Sequence, residues 1–146
     1  MMGRLIEPLT LGYDWEMAVL RKTGESVGEK EVEQLSDVLR RRMPWAQTGT
    51  DLELLESRIG CATGFEELLW KSERFDVELG KELAKRGWSL LRGGARPFER
   101  EPIGSHIHVG TFHDWRSAAR VSNGMAKYVA PFAALMANSP VYRGRS

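Results

Sequence analysis

Two histidines, His106 and His108, lie two residues apart in a short segment bounded by glycines, Gly-Ser-His-Ile-His-Val-Gly at 104–110. The β-branched Ile107 and Val109 favour a strand, and side chains at i and i+2 of a strand point to the same face. The two imidazoles therefore share one predicted surface, about 7 Å apart at a rise of ~3.3 Å per residue. This spacing is typical of a metal or phosphate site, and the alternative is a pair of solvated histidines on an edge strand.

Asp14 and Glu16 show the same spacing near the start of the chain. Apolar and polar residues alternate over 8–21, which predicts a strand with both carboxylates on its polar face. Their mutual repulsion costs about 1 kcal/mol near a surface, and a bound cation turns that cost into binding. Mg²⁺ and Mn²⁺ prefer carboxylate oxygens alongside phosphates, and Mn²⁺ also suits imidazole. The acids and the histidines together predict a metal and phosphate face, whereas the acids alone could form a solvated strand surface.

The composition is 42% hydrophobic and 28% charged with a net charge of +1, which is typical of a soluble globular chain. Its 146 residues fit a single domain over 1–146. Nucleic-acid-binding domains are usually strongly basic, and a membrane span needs about 20 apolar residues, so neither partner is expected. Residues 1–8 carry too short an apolar run for a secretory signal. Because Cys61 is the only cysteine, we expect a buried, inert thiol in a cytoplasmic protein.

The elements that must position these residues follow from periodicity and end signals. Ser26/Glu29 and Thr63/Glu66 have capping-box spacing and predict two helix starts. The pattern then predicts strands at 8–21, 51–62, 88–91 and 103–109, helices at 26–43 and 64–86, and a loop at 45–50. Asp114 is predicted to cap a third helix that breaks or kinks at Asn123-Gly124, before an apolar stretch at 125–136. One-sided alternation favours an α+β fold, with a mostly antiparallel sheet and helices on one face.

Four blocks of sequence, taken in order, resemble the N-terminal half of the glutamate–cysteine ligase family, in its branch of bacterial and archaeal carboxylate–amine ligases. The histidine block and the Asn-Ser-Pro block are the most specific of the four. The blocks span essentially the whole chain and lie at 9–16 (LTLGYDWE), 54–63 (LLESRIGCAT), 104–110 (GSHIHVG) and 134–140 (ALMANSP).

This resemblance implies a cupped antiparallel sheet like half of a glutamine synthetase fold, with ATP and Mg²⁺ or Mn²⁺ on its polar face. It implies a reaction in which ATP phosphorylates a small carboxylate substrate and an amine then attacks the acyl phosphate. Asp14 and Glu16 match the family's paired acids, which hold metal ions on the ATP phosphates. His106, and His108 beside it, match the metal and phosphate contacts of the second strand.

Three further residues are candidates on this face. Glu56 and Arg58 are candidates for substrate binding, and the alternative is a surface ion pair of little energetic value. Arg143 is a candidate for nucleotide binding, and the alternative is a frayed basic tail.

The chain also departs from the family pattern. Asp14 stands where the family usually has glutamate, and Gly60 stands where the second block usually carries one. The family continues for about another domain after the fourth block, so we expect activity only with that half, supplied by a longer product or a second chain, and we expect a homo-oligomer or such a second chain as partner. Two alternatives remain: a non-catalytic metal- and nucleotide-binding or assembly module, and a small metal-dependent hydrolase. The sequence does not name the acid or the amine.

Overall fold

The computed structural model describes residues 10–51, 53–91, 104–110 and 114–131. Arg143, the fourth sequence block and the end of the apolar stretch at 125–136 lie outside these ranges. The elements, in chain order, are β1 (Thr10–Arg21), α1 (Glu29–Arg42), β2 (Ala46–Asp51), β3 (Leu54–Ala62), α2 (Phe65–Arg86), β4 (Trp88–Leu91), β5 (Ser105–Gly110) and α3 (Trp115–Ala126). Within the described residues, no helix is long and apolar enough to cross a membrane.

β1 lies at the centre of a five-stranded antiparallel sheet. One edge of β1 pairs with β3, and the outer edge of β3 pairs with β2. On the other edge of β1, β5 pairs with Thr10–Trp15 and β4 pairs with Ala18–Arg21. The prediction of an α+β fold with a mostly antiparallel sheet is confirmed.

Alternate side chains of β1 form one wall of the hydrophobic core. Met17 and Val19 are fully buried there, beneath α1 and α2, which contribute Leu35, Leu39, Phe75 and Leu79 to the same cluster. Ile107 and Val109 of β5 point to this side of the sheet and face α3 across a groove of about 350 Å³. All three helices therefore lie on one side of the sheet.

The predicted loop at 45–50 is wrong, because residues from Ala46 onward form β2. Ala46 and Thr48 are buried and Gln47 between them is exposed, which is strand alternation. The Thr48 hydroxyl donates a hydrogen bond to the backbone carbonyl of Ser36 in α1 at 2.8 Å. This contact satisfies a buried polar group and anchors β2 beneath α1.

The structure differs from both predicted capping boxes at the starts of α1 and α2. α1 begins after Gly28, which is the N-cap residue and has no side chain to cap the helix, so the prediction that Ser26 caps this helix is wrong. At α2, Thr63 donates from its backbone N–H and its hydroxyl to Glu67, at 2.8 and 2.9 Å, instead of pairing with Glu66.

Other predicted ends are correct. α2 ends at Gly87, whose φ of 65° lies in the left-handed region that favours glycine. Asp114 caps α3 by accepting a hydrogen bond from the Ser117 N–H at 2.7 Å. Of the predicted break or kink at Asn123-Gly124, the break is wrong, because α3 continues to Ala126. A glycine in a helix costs only about 1 kcal/mol relative to alanine, which is too little to end it.

Candidate functional site

The strand register brings together every predicted site residue that the structure describes. Directly opposed residues of an antiparallel pair point to the same face. Asp14 is opposite Arg58 of β3 on one side and His106 of β5 on the other, and Arg58 is opposite Gln47 of β2. We call this line of four side chains the polar row. It crosses four strands on the face of the sheet opposite the hydrophobic core.

Asp14 and His108 form a direct contact between the predicted acidic strand and the predicted histidine strand. The Nε2 atom of His108 lies 2.8 Å from a carboxylate oxygen of Asp14. The register partner of His108 is Gly12, which has no side chain, so the imidazole reaches diagonally to the acid. The Asp14 side chain is 20% exposed and that of His108 is 59% exposed, so the pair remains accessible to a ligand.

Glu16 is also on this face, but its carboxylate is hydrogen-bonded to the backbone of Gly104. It accepts a hydrogen bond from the Gly104 N–H at 2.6 Å, and the Glu16 N–H donates to the Gly104 carbonyl at 3.1 Å. These two bonds fix the start of β5 against β1. Glu16 therefore positions the histidine strand, and its carboxylate is turned toward the backbone rather than toward the Asp14–His108 pair.

Arg58 and Glu56 form an ion pair at 2.6 Å. The hydrogen bond and charge of Glu56 raise the pKa of Arg58, and the charge of Asp14 adds to this against the effect of burial. The guanidinium therefore stays charged beside Asp14. The Arg58 side chain is more than half exposed, so the pair itself stabilises the fold by less than about 1 kcal/mol.

A β-bulge shapes the floor of the site where β1 passes β3. The register shifts between Leu11 and Tyr13 of β1, because β3 has two residues, Gly60 and Cys61, opposite Gly12. A Cβ on Gly12 would lie 3.0 Å from the Gly60 Cα, so the close approach of the strands favours glycine there. A Cβ on Gly60 would meet nothing within 4 Å, so this position opens into free space.

The same bulge exposes Cys61. Its φ is 55°, an uncommon conformation for a residue with a side chain, and the thiol is exposed. The expectation of a buried thiol is therefore wrong, since the extra residue turns the side chain outward. Lys71 of α2 stabilises the bulge by donating hydrogen bonds to the carbonyls of Gly60 and Cys61, at 3.4 and 3.3 Å.

An open cleft of about 610 Å³ joins these features. Asp14, His108 and Arg58 line its charged end. Gly12, Gly60, Cys61 and Lys71 also line it, and Pro44, Trp45 and Gln47 line the end beside β2. The cleft therefore has a charged end and an uncharged end that carries an aromatic ring.

The arrangement offers two adjacent side chains that can bind a cation, Asp14 and His108. His106 lies next to Asp14 in the polar row, and its ring centroid is 6.5 Å from that of His108. Among the described residues, no group of three or more His, Cys, Asp or Glu side chains is close enough together to hold a metal ion.

The cleft residues that were not predicted as site residues include Trp45, Gln47 and Lys71. The alternation of buried Ala46 and Thr48 would have placed Gln47 on the polar face, had the segment been assigned to a strand. Lys71 reaches the cleft only because α2 packs against the bulge, and its helix carries no local signal of this.

No protein-family model matches the chain, and no curated protein sequence matches it. The relationship to glutamate–cysteine ligases therefore stays a prediction from the sequence blocks. The residues of the cleft and their geometry are the basis for the function.

Proposed function

We propose that this cleft binds ATP together with Mg²⁺ or Mn²⁺, as part of an ATP-dependent carboxylate–amine ligase of the glutamate–cysteine type. The observation that carries the proposal is the contact between Asp14 and His108, 2.8 Å apart in the wall of the cleft and beside the charged Arg58. The ligase chemistry itself comes from the resemblance of the four sequence blocks.

The donor set suits a metal ion that arrives with a nucleotide. Mg²⁺ is usually held by one or two carboxylates plus substrate phosphates and water, and imidazole suits Mn²⁺. Asp14 supplies a carboxylate oxygen and His108 an imidazole nitrogen within one contact distance. To bind the metal, the His108 nitrogen that faces Asp14 must be unprotonated, so binding releases a proton whenever that nitrogen carries one.

Arg58 is the cation that would meet the phosphates. Its charge is fixed, and planar guanidinium groups pair well with phosphate oxygens. In the proposed reaction, the substrate carboxylate attacks the γ-phosphorus of ATP and ADP leaves. The amine then attacks the acyl carbon and inorganic phosphate leaves. A bound metal ion supplies charge neutralisation on the phosphates, and Arg58 and Glu56 orient charged groups of the substrate beside them.

Titration of the full chain tests the binding step. We expect Mn²⁺ and MgATP to bind wild type, and Asp14→Asn or His108→Gln to weaken binding about tenfold or more. Glu73→Gln is the matched control, because it removes an exposed carboxylate of α2 outside the cleft, and it should bind like wild type. Equal affinity in wild type and Asp14→Asn, or binding of ATP that does not depend on a metal, would refute the proposal.

Product analysis separates the ligase from its two alternatives. ADP and phosphate that appear only with both an acid and an amine indicate a ligase. Nucleotide hydrolysis without an amine indicates a hydrolase, for which the Asp14–His108 pair would orient the base that activates water. Binding without turnover indicates a non-catalytic binding module. Gly60 favours this outcome, because the family usually carries a glutamate at this position and the structure has open space there.

We also propose that the chain assembles with a second copy or with a second chain. Large apolar side chains of β5, of α3 and of the residues just after α3 are exposed in the described structure, and Ile107, Trp115 and Val129 are each more than 60% exposed. Exposed apolar groups of this size are typical of interaction surfaces. Light scattering of the full chain at increasing concentration tests this, and a monomer at the highest concentration would exclude the homo-oligomer.

A further inference from the structure

We propose that the end of the cleft formed by Pro44, Trp45 and Gln47 is a subsite for a flat purine ring, so the cleft binds a nucleotide in one orientation. This inference rests on the proposed function, because it assumes that phosphates occupy the charged end. The observation behind it is that the charge of the lining side chains differs along the cleft. Asp14, Arg58 and His108 are charged or can become charged, whereas Pro44, Trp45 and Gln47 are uncharged.

The length of the cleft suits this division. Gln47 and Asp14 belong to the same polar row, with the β3 residue Arg58 between them. Two strand spacings separate their backbones, about 10 Å at ~4.8 Å per strand. An inorganic phosphate or a small amino acid is too short to contact both ends, whereas a nucleoside triphosphate is long enough to do so.

Trp45 is held in place before any ligand arrives. Its ring packs partly against the hydrophobic core, and its centroid lies 6.0 Å from that of Trp70 in α2. The remaining surface of Trp45 lines the cleft. A side chain that is already immobilised loses little conformational entropy on binding, and an aromatic ring accepts any base by stacking.

Gln47 adds the means to recognise the edge of the ring. Its side chain is exposed at the end of the polar row, and no hydrogen bond to it is found within the described part of the chain. A primary amide offers both a donor and an acceptor. That combination matches the adjacent amino group and ring nitrogen of adenine, which glutamine binds as a pair.

Two ligands that share the phosphates but differ in the base test the subsite. Dissociation constants are measured by calorimetry for MgATP and for magnesium tripolyphosphate, with the full chain. We expect wild type to bind MgATP more tightly, and Trp45→Leu to weaken MgATP about tenfold while tripolyphosphate stays unchanged. Trp70→Leu is the control, because it removes the neighbouring indole, which does not line the cleft, and it should weaken MgATP less.

The variants also separate a lost ring from a damaged fold. Trp45→Phe keeps an aromatic ring and should bind MgATP within about threefold of wild type, a difference below 1 kcal/mol. Gln47→Ala should reduce the preference for ATP over GTP with little effect on tripolyphosphate. Equal weakening of both ligands in Trp45→Leu and in Trp45→Phe overturns the subsite.

Failure of the subsite and failure of the proposed function give different results. If wild type binds MgATP and tripolyphosphate equally and Asp14→Asn weakens both, the subsite is wrong and the metal and phosphate site stands. If wild type binds neither ligand, both proposals are wrong.

Discussion

Two clusters of acidic and basic side chains lie on opposite sides of the sheet, and they differ in how completely their carboxylates are paired with cations. Between α1 and α2, Glu78 and Glu82 are nearly buried. Five cations of the two helices surround them within 4.0 Å: Arg42, Arg74, Lys81, Lys85 and Arg86. On the other side, the polar row has fewer and more exposed contacts.

The difference separates a structural role from a binding role. Hydrogen bonds from Lys85 and then Arg86 lower the pKa of Glu82 to about 2, so this carboxylate is stabilised in its charged form by the fold itself. At the polar row, Asp14 contacts one imidazole and faces an open cleft. A cluster whose carboxylates are already paired with cations joins the helices, whereas a cluster beside a cleft retains the capacity to bind a ligand.

The largest expected effect comes from removing charge in the helix cluster. Glu82→Gln should lower the free energy of unfolding by about 1–3 kcal/mol, because one acceptor oxygen becomes an NH2 donor and the other loses its negative charge. Asp14→Asn should lower it by less than about 1 kcal/mol. Urea unfolding of both variants measures the two values, and equal destabilisation would contradict the distinction between the clusters.

Acid should reduce the stability that the cluster around Glu78 and Glu82 contributes. The pKa of Glu82 is lowered from 4.5 to about 2 in the folded protein, so its contribution to stability is present above the unfolded pKa and is lost as pH falls toward 2. We expect the melting temperature of wild type to fall between about pH 5 and pH 3, and Glu82→Gln to show a smaller fall over this interval. An identical pH profile in the two proteins would show that other carboxylates dominate.

Most helices and strands were predictable because the sequence patterns that favour them are local. Alternation over 8–21 gave the central strand, the i, i+2 spacing placed Asp14 and His108 each on a polar face, and Gly87 marked a helix end. β2 was missed because its short, polar sequence becomes a strand through the contact of Thr48 with Ser36 in α1.

The contacts within the site were not predictable for a related reason. The Asp14–His108 contact joins residues 94 positions apart, and it depends on a register that the sequence does not state. The role of Glu16 in holding Gly104 depends on the same register. Residue type and spacing therefore predicted which side chains share a face, and tertiary pairing decided which of them touch.

An added carboxylate at the bulge should strengthen metal binding beside Asp14 and His108. A Cβ at Gly60 would meet open space, and the backbone of Gly60 is outside the left-handed region, so the backbone accepts Gly60→Glu. We expect it to raise the affinity for Mn²⁺ about tenfold, since each added charged ligand tunes affinity. Gly80→Glu is the matched control, because Gly80 is equally open but lies on α2. A similar gain in both variants would mean that net charge, and not the site, attracts the ion.

The smallest expected effect distinguishes a positioning acid from a metal-binding acid. In wild type, the Gly104 N–H donates to the Glu16 carboxylate at 2.6 Å. Glu16→Gln keeps the shape of the side chain and an acceptor oxygen for this hydrogen bond. We expect Mn²⁺ affinity to fall less than about threefold, against tenfold or more for Asp14→Asn, because Glu16 acts through the placement of β5. Calorimetric titration of the two variants under the same buffer conditions gives the ratio. If Glu16→Gln loses as much affinity as Asp14→Asn, Glu16 binds the ion directly, and both acids of the Asp-x-Glu strand belong to the metal site.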